Sequence, residues 1–309
     1  MRDRRRYGRQ GRGSSLCGDC RQSLAPDRRA NMKATVLGAQ GFIGRNLVRS
    51  LRDTGYEVAE PDRSELAGLS GPLGRVFYGI GMTGNFRAHP LATVEAHAGL
   101  LARLLEQADF ESFVYFSSTR IYALAGGLEE TSEDAPVQVL PSADTTYDLS
   151  KMLGEALCLS LNQPSVKVIR LSNVYGPDQS KATFLGSLLE DLVTTGQANI
   201  LESPESAKDY VAISDVVNLA EKIARCGLHR TYNVASGQPV SHFEIAKAVE
   251  KNGLTCTFSP GGARRAFPKI NITRLQDEFD FTPRSLLEDL PQLIETAGIR
   301  SGTQTGAQQ

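Results

Sequence analysis

Tyr147 and Lys151, four residues apart in Tyr147-Asp148-Leu149-Ser150-Lys151, have the types and spacing for acid–base work. On a helix, positions four apart share a face. An ammonium group beside a phenol stabilises the phenolate and draws its pKa from about 10 toward neutrality. Such a tyrosine can exchange a proton with an alcohol or carbonyl oxygen while hydride moves to or from a nicotinamide. A second group comes from Phe113-Val114-Tyr115-Phe116-Ser117-Ser118-Thr119, where a strand-like run ends in three hydroxyl residues. A serine there can hydrogen-bond the reacting oxygen and hold it in position.

Hydride chemistry needs a dinucleotide, and the sequence offers a place for one. The apolar run Thr35-Val36-Leu37 breaks into Gly38-Ala39-Gln40-Gly41-Phe42-Ile43-Gly44, followed by a helix-like pattern at Asn46, Leu47, Val48 and Leu51. A strand entering a helix through such a turn presents backbone N–H groups and the positive end of the helix dipole to a pyrophosphate. Gly38 permits the tight turn, Gly41 lets the backbone approach the phosphates and Gly44 lets helix and strand pack closely. Asp62 lies 18 residues past Gly44, after the second strand and Pro61, where a carboxylate reads the adenosine ribose. That favours NAD. Arg63 follows directly and keeps NADP open, since a guanidinium can meet its 2′-phosphate.

The elements that would position these groups alternate. Strands are expected at 33–38, 56–60, 75–80, 112–117 and 166–171, and helices at 42–53, 91–108 and 148–162. Alternation of this kind defines an α/β fold with a doubly wound parallel sheet, of the Rossmann type. Residues 121–146 have no clear period and read as a long loop, which in a compact domain is usually functional. Helices near 182–195, 214–226, 241–252 and 285–297 suggest a smaller C-terminal lobe. The expected organisation is a dinucleotide-binding domain over 32–171, a substrate lobe over 172–300 with some segments returning to the first domain, and a disordered polar tail at 301–309.

Residues 1–31 hold nine arginines against Asp3, Asp19 and Asp27, about +6, which leaves about −7 on the rest of a chain of net charge −1. The acidic body gives no reason to expect nucleic-acid binding, and no apolar run approaches a membrane span. The basic head lacks the apolar stretch of a secretory signal, and Met32-Lys33-Ala34-Thr35-Val36 reads as the start of the domain, with 1–31 outside the fold. Cys17 and Cys20 form a single C-x2-C without a second pair, so no metal is expected. Cys158, Cys226 and Cys256 read as small core residues. An odd cysteine count without a secretion signal suggests a reducing, cytoplasmic setting.

The whole pattern resembles the extended short-chain dehydrogenase/reductases, the NAD(P)-dependent nucleotide-sugar epimerases, dehydratases and reductases. The resemblance spans about 33–297. It rests on G-A-Q-G-F-I-G at 38–44, S-S-T-R-I-Y at 117–122, Y-D-L-S-K at 147–151, R-L-S-N-V-Y-G-P at 170–177, K-D-Y-V-A-I-S-D-V at 208–216 and Y-N-V-A-S-G at 232–237. It implies that Tyr147 is the acid/base, that Lys151 also binds the nicotinamide ribose, and that Ser118, three residues before Ile121, is the catalytic hydroxyl, with Thr119 beside it on the substrate side. It further implies that Asn173 contacts the sugar or its diphosphate, that Lys208 stands in for the usual diphosphate-binding arginine, and that Arg265 is a second phosphate clamp. Helices 91–108 and 148–162 resemble the pair that forms a homodimer contact in the family.

Departures narrow the reaction. The 4,6-dehydratases place acidic residues directly after the catalytic hydroxyl, whereas this chain has Thr119 and Arg120, so elimination lacks its groups. His97 stands where the family often has Asn. The string Asp62-Arg63-Ser64-Glu65-Leu66 is similar to that of dTDP-4-dehydrorhamnose reductases. The leading reading is a nucleotide-sugar 4-epimerase. The alternative is a nucleotide 4-keto-sugar reductase, and a dinucleotide-binding sensor without turnover is the third.

Overall fold

The computed structural model describes residues 32–82, 86–124, 129–265 and 267–305. The basic head at 1–31 and the last four residues lie outside the described residues. The first half runs β1 (Lys33–Leu37), α1 (Phe42–Asp53), β2 (Glu57–Ala59), β3 (Arg75–Tyr78), α2 (Pro90–Val94), α3 (Leu100–Gln107), β4 (Ser112–Ser118), β5 (Glu130–Thr131), α4 (Thr146–Ser160) and β6 (Val166–Leu171). The second half runs β7 (Asn173–Tyr175), α5 (Phe184–Thr195), β8 (Gln197–Ile200), β9 (Ala207–Ala212), α6 (Ile213–Cys226), β10 (Thr231–Val234), β11 (Pro239–Ser241), α7 (His242–Lys251), β12 (Thr255–Phe258), β13 (Lys269–Ile270), α8 (Thr273–Phe279) and α9 (Leu286–Thr305).

Six strands form one parallel sheet in the order β10-β6-β4-β3-β1-β2. Its central strands are apolar on both faces, as a parallel sheet covered by helices requires. Leu47, Val48 and Leu51 of α1 and Val216, Leu219 and Ile223 of α6 cover one face. Leu101 and Leu104 of α3 and Cys158 of α4 cover the other. The chain leaves β1 toward β2 and then crosses to β3 on the opposite side, so the strand order reverses between β1 and β3. Ligands of such sheets bind in the crevice at that reversal, beyond the strand C-termini. The register Leu37↔Tyr78, Tyr78↔Tyr115 and Ser118↔Leu171 brings those termini to one edge.

A second core forms the smaller lobe, with Leu185 and Leu189 of α5, Ile200 of β8, Ile245 and Val249 of α7, and Leu286 and Leu290 of α9. Two segments beyond residue 171 belong to the first domain: β10 extends the main sheet beside β6, and α6 packs on its face. Helix α9 runs from Leu286 to Thr305. Each added residue gains a backbone hydrogen bond once a helix is nucleated, so a helix anchored by Leu286, Leu290 and Leu293 can propagate past its apolar part. The expected helix over 91–108 is interrupted by a π-helical turn at Glu95–Gly99. The loop 121–146 contains 3₁₀ turns at Thr119–Leu124 and Ala143–Thr145 and the short strand β5. Of the cysteines expected in the core, Cys158 and Cys256 are buried, while Cys226 is only half-buried at the end of α6.

Helix α4 is fixed to the sheet by a buried ion pair. Arg170, next to the C-terminal end of β6, donates from Nε and Nη2 to the Glu155 carboxylate at 2.7–3.1 Å. Its Nη1 donates to the Tyr122 hydroxyl at 2.7 Å and to the Glu133 carbonyl at 3.0 Å. Both side chains are over 90 % buried. The bonds to Glu155 and Tyr122 hold the guanidinium pKa above its ordinary value, against the burial that opposes it. Removing one partner of such a pair costs about 3–5 kcal/mol, because the other is left charged in the interior.

Candidate active site

The glycine turn lies at the head of the crevice. Gly38 adopts φ +86°, a left-handed conformation that favours glycine, and a Cβ there would meet the Gly79 backbone at 2.9 Å. A Cβ on Gly44 would stand 2.2 Å from the Gly38 carbonyl, so only glycine lets α1 pack this closely on the end of β1. Gly41 is the N-cap of α1. No side chain caps the helix there, and its first turn holds no acidic residue. The first turn of α1, at Phe42 and Ile43, therefore carries the electropositive helix end with no side-chain cap. That is the cradle a dinucleotide pyrophosphate requires.

Beyond β4 the three hydroxyls separate. Ser118 is half-buried, and its Oγ accepts the Arg120 backbone N–H at 3.1 Å. Thr119 is buried and donates to the Leu171 carbonyl at 3.3 Å, so the structure turns this expected substrate contact toward the sheet. Tyr147, in the first turn of α4, is 5 % exposed. Its ring meets Phe86 at 5.4 Å and the His97 ring edge at 5.2 Å. One turn on, Lys151 is buried with Nζ donating to the Phe116 carbonyl at 2.8 Å and lying 5.0 Å from the Tyr115 ring centre. Burial lowers its pKa to about 7, partly opposed by the Glu155 charge one turn further along α4.

His97 sits in the π turn, fully buried. Its Nε2 is placed to accept the Met82 backbone N–H at 3.3 Å, so the proton resides on Nδ1, which donates to Ser150 Oγ at 2.8 Å. Ser150 in turn donates to the Tyr147 carbonyl at 2.8 Å. Burial, and then the Lys151 charge, lowers the His97 pKa to about 3, so the ring is neutral. It ties the segment after β3 to α4. π turns recur at functional sites, and here the turn places this ring. The sequence marked His97 only as a departure, because no local pattern announces a contact between residues 82, 97 and 150.

The remaining expected site residues are dispersed. Asp62 is exposed, and its Oδ1 accepts the backbone N–H of Ser64 and of Glu65 and the Ser64 hydroxyl, while Glu65 accepts the Asp62 N–H. This reciprocal cap uses one carboxylate oxygen and leaves Oδ2 for a ribose. The hydrogen bonds from Ser64 hold the Asp62 carboxyl below its ordinary pKa. Arg63 beside it is exposed. Asn173 donates to the Asp209 carbonyl at 2.8 Å. Lys208 and Arg265 are brought together at Glu202, at 3.1 and 3.3 Å respectively. Lys208 Nζ also lies 4.7 Å from the Phe184 ring centre, and buried His242 stacks on that ring at 4.2 Å. Glu202 was not foreseen, since its partners converge from separate loops. Among the described residues, no group of three or more His, Cys, Asp or Glu is arranged to hold a metal, and no helix is long and apolar enough to cross a membrane.

Residues 34–86 and 76–235 match the NAD dependent epimerase/dehydratase family, and the chain belongs to that family. It is 25 % identical to a dTDP-4-dehydro-6-deoxy-D-allose reductase from a Streptomyces species, over 87 % of this chain and 97 % of that protein. Its structure is similar to that of MoeE5 in complex with UDP-glucuronic acid and NAD, with a TM-score of 0.73, 25 % identity, and coverage of 87 % of this chain and 99 % of that one. It also shares its fold with UDP-glucuronic acid 4-epimerase from Bacillus cereus, at 20 % identity and a TM-score of 0.71 over 87 % and 99 % of the two chains. It is thus an NAD(P)-dependent enzyme of the short-chain dehydrogenase/reductase type.

The depressed Lys151 pKa sets a pH signature. Between about 7 and the ordinary lysine value near 10.4, the unfolded chain binds a proton that the folded one does not. Stability from this group therefore rises with pH through that window, and its full cost is present below it. Lys151→Met is expected to unfold at a higher temperature than wild type below pH 7, with the gap closing as pH approaches 10, while turnover is lost. Thermal melts of both proteins across pH check this, and an equal gap at every pH would contradict it.

Proposed function

We propose that this enzyme is a nucleotide-sugar 4-epimerase using NAD, with Ser118, Tyr147 and Lys151 at the reacting oxygen. The observation that carries the reading is the pairing of a tyrosine–lysine helix face with a strand-end serine, with Thr119 and Arg120 where an eliminating enzyme needs acids. That set confines the chemistry to removing and returning hydrogen at one carbon. The glycine turn and Asp62 hold the dinucleotide, and a nicotinamide bound there supplies the acceptor of the hydride and its later donor. Tyr147 takes the hydroxyl proton as the C4–H bond breaks and gives a proton back when the ketone is reduced. Ser118 hydrogen-bonds the same oxygen in both states and fixes its position. Lys151 adds positive charge beneath the phenolate when protonated. Lys208 and Arg265 hold the nucleotide diphosphate, with Glu202 aligning the two cations before substrate arrives.

A 4-keto-sugar reductase is the second reading, favoured by the Streptomyces reductase that this chain matches along nearly its whole length. The two differ in cofactor use. An epimerase regenerates its NAD, whereas a reductase consumes NAD(P)H stoichiometrically. Incubation with UDP- and dTDP-hexoses plus catalytic NAD is expected to yield the C4 epimer, and Tyr147→Phe to lower the rate at least about a hundredfold. Steady NADH loss with a 4-keto-sugar, and no epimer from any nucleotide sugar, would establish the reductase reading instead.

We also propose a homodimer formed through α2 and α4. Leu91 and Val94 on α2 and Leu153 on α4 are exposed, which leaves apolar surface on two helices that pack side by side. Sedimentation is expected to give twice the chain mass, and a monomer at micromolar concentration would remove the proposal.

A further inference from the structure

Arg120 follows the hydroxyl residues that end β4 and reaches both halves of the catalytic pair. Its backbone N–H donates to Ser118 Oγ at 3.1 Å. Its Nε donates to the two carboxylate oxygens of Asp148, at 3.0 and 3.4 Å. Its guanidinium carbon lies 5.7 Å from the centre of the Tyr147 ring and 5.1 Å from that of Phe86. Asp148 is the residue after Tyr147, and its side chain is 8 % exposed, so a buried carboxylate clamps the cation against the face of the phenol. The η nitrogens of Arg120 take no hydrogen-bond partner among the described residues.

The other charged and titratable groups around Tyr147 are differently placed. From α4 come Lys151, whose Nζ is held by the Phe116 carbonyl, and Glu155, which is committed to Arg170. The π turn contributes His97, which is neutral, and β4 contributes Tyr115, whose phenol burial keeps protonated. The segment before α2 contributes Arg87, paired with exposed Asp144. Lys151 divides between charged and neutral forms near pH 7. A guanidinium stays charged throughout the range in which a protein is folded.

We infer that Arg120 is a positioning residue for the proton exchange: its permanent charge on the ring face stabilises the Tyr147 phenolate, and its backbone N–H occupies a lone pair of Ser118 Oγ so that the hydroxyl hydrogen is left for the substrate oxygen. The inference rests on Tyr147 being the acid–base group. The same residue that removes elimination chemistry thus supports oxidation and reduction. In the forward step the substrate hydroxyl proton passes to Tyr147 Oη, and Arg120 holds a positive charge 5.7 Å from the centre of that ring whatever the state of Lys151.

Tyrosinate absorbance in the near ultraviolet tests this without a known substrate. Tyr56, Tyr78, Tyr115, Tyr122, Tyr175, Tyr210 and Tyr232 are all raised above an ordinary phenol, chiefly by burial. Tyr7 is common to every variant, and Tyr147→Phe identifies any step that belongs to Tyr147. With saturating NAD, wild type is expected to show an early tyrosinate step that Tyr147→Phe lacks. An opposite charge at this distance shifts a pKa by roughly 1–3, and solvent at the half-exposed guanidinium weakens that. Arg120→Met is thus expected to move the step about one pH unit upward, with Arg120→Lys restoring part of the shift. The double variant Arg120→Met, Asp148→Asn keeps the test available if the single variant does not fold and, because it also removes the carboxylate beside the ring, is expected to shift in the same direction by a smaller amount. An early step at the wild-type pH in these variants would overturn the role of Arg120 and leave Tyr147 in place. An early step that persists in Tyr147→Phe would overturn both.

Discussion

The site depends on one buried contact, the ion pair between Arg170 in β6 and Glu155 in α4. Tyr147, Lys151 and Glu155 follow one another at four-residue intervals along α4, so the residue that anchors the helix lies on the same face as the two residues proposed to do the chemistry. Desolvating both charges is costly, and the hydrogen bonds around them, including those to Tyr122 and the Glu133 carbonyl, offset that cost only in one geometry. The pair therefore fixes the depth and rotation of α4 on the sheet. Its carboxylate also raises the Lys151 pKa, opposing the burial that would otherwise keep the amine neutral.

From that anchor the remaining contacts follow. Lys151 reaches the Phe116 carbonyl near the end of β4, and Ser150 Oγ accepts a hydrogen bond from His97, whose other nitrogen accepts the Met82 N–H beyond β3. Helix α4 is thereby joined to two strand ends at the edge where the sheet order reverses. The glycine turn stands at the next strand end, with Gly79 N–H donating to the Leu37 carbonyl at 2.8 Å. The glycine turn, Ser118 and the Tyr147–Lys151 face are held by strand register and by the packing of α4 on the sheet. That is the rigidity an oriented hydride transfer requires.

The local parts of this arrangement were legible in the sequence. Gly38, Gly41 and Gly44 carry their conformational meaning wherever a strand meets a helix, and Tyr147 and Lys151 share a face by spacing alone. The helix at 42–53 and the strand at 166–171 were bounded as the structure has them. What was hidden depends on tertiary approach. Arg170 meets Glu155, and Arg120 meets the Tyr147 ring, across elements without shared periodicity. The resemblance implied diphosphate contacts for Lys208 and Arg265, but not that both would pair with Glu202. The strand β7, three residues long, is too short to carry an alternation signal.

The central claim is that hydrogen leaves and returns to the sugar carbon as hydride, with Tyr147 handling only the proton on oxygen. A nucleotide sugar deuterated at C4, incubated with the enzyme and NAD in ordinary water, tests this directly. The account predicts that the deuterium is still on C4 of the product, because a hydride held by the dinucleotide does not exchange with solvent. Product that has lost its deuterium to water would mean that the C4 hydrogen leaves as a proton, and would contradict the account.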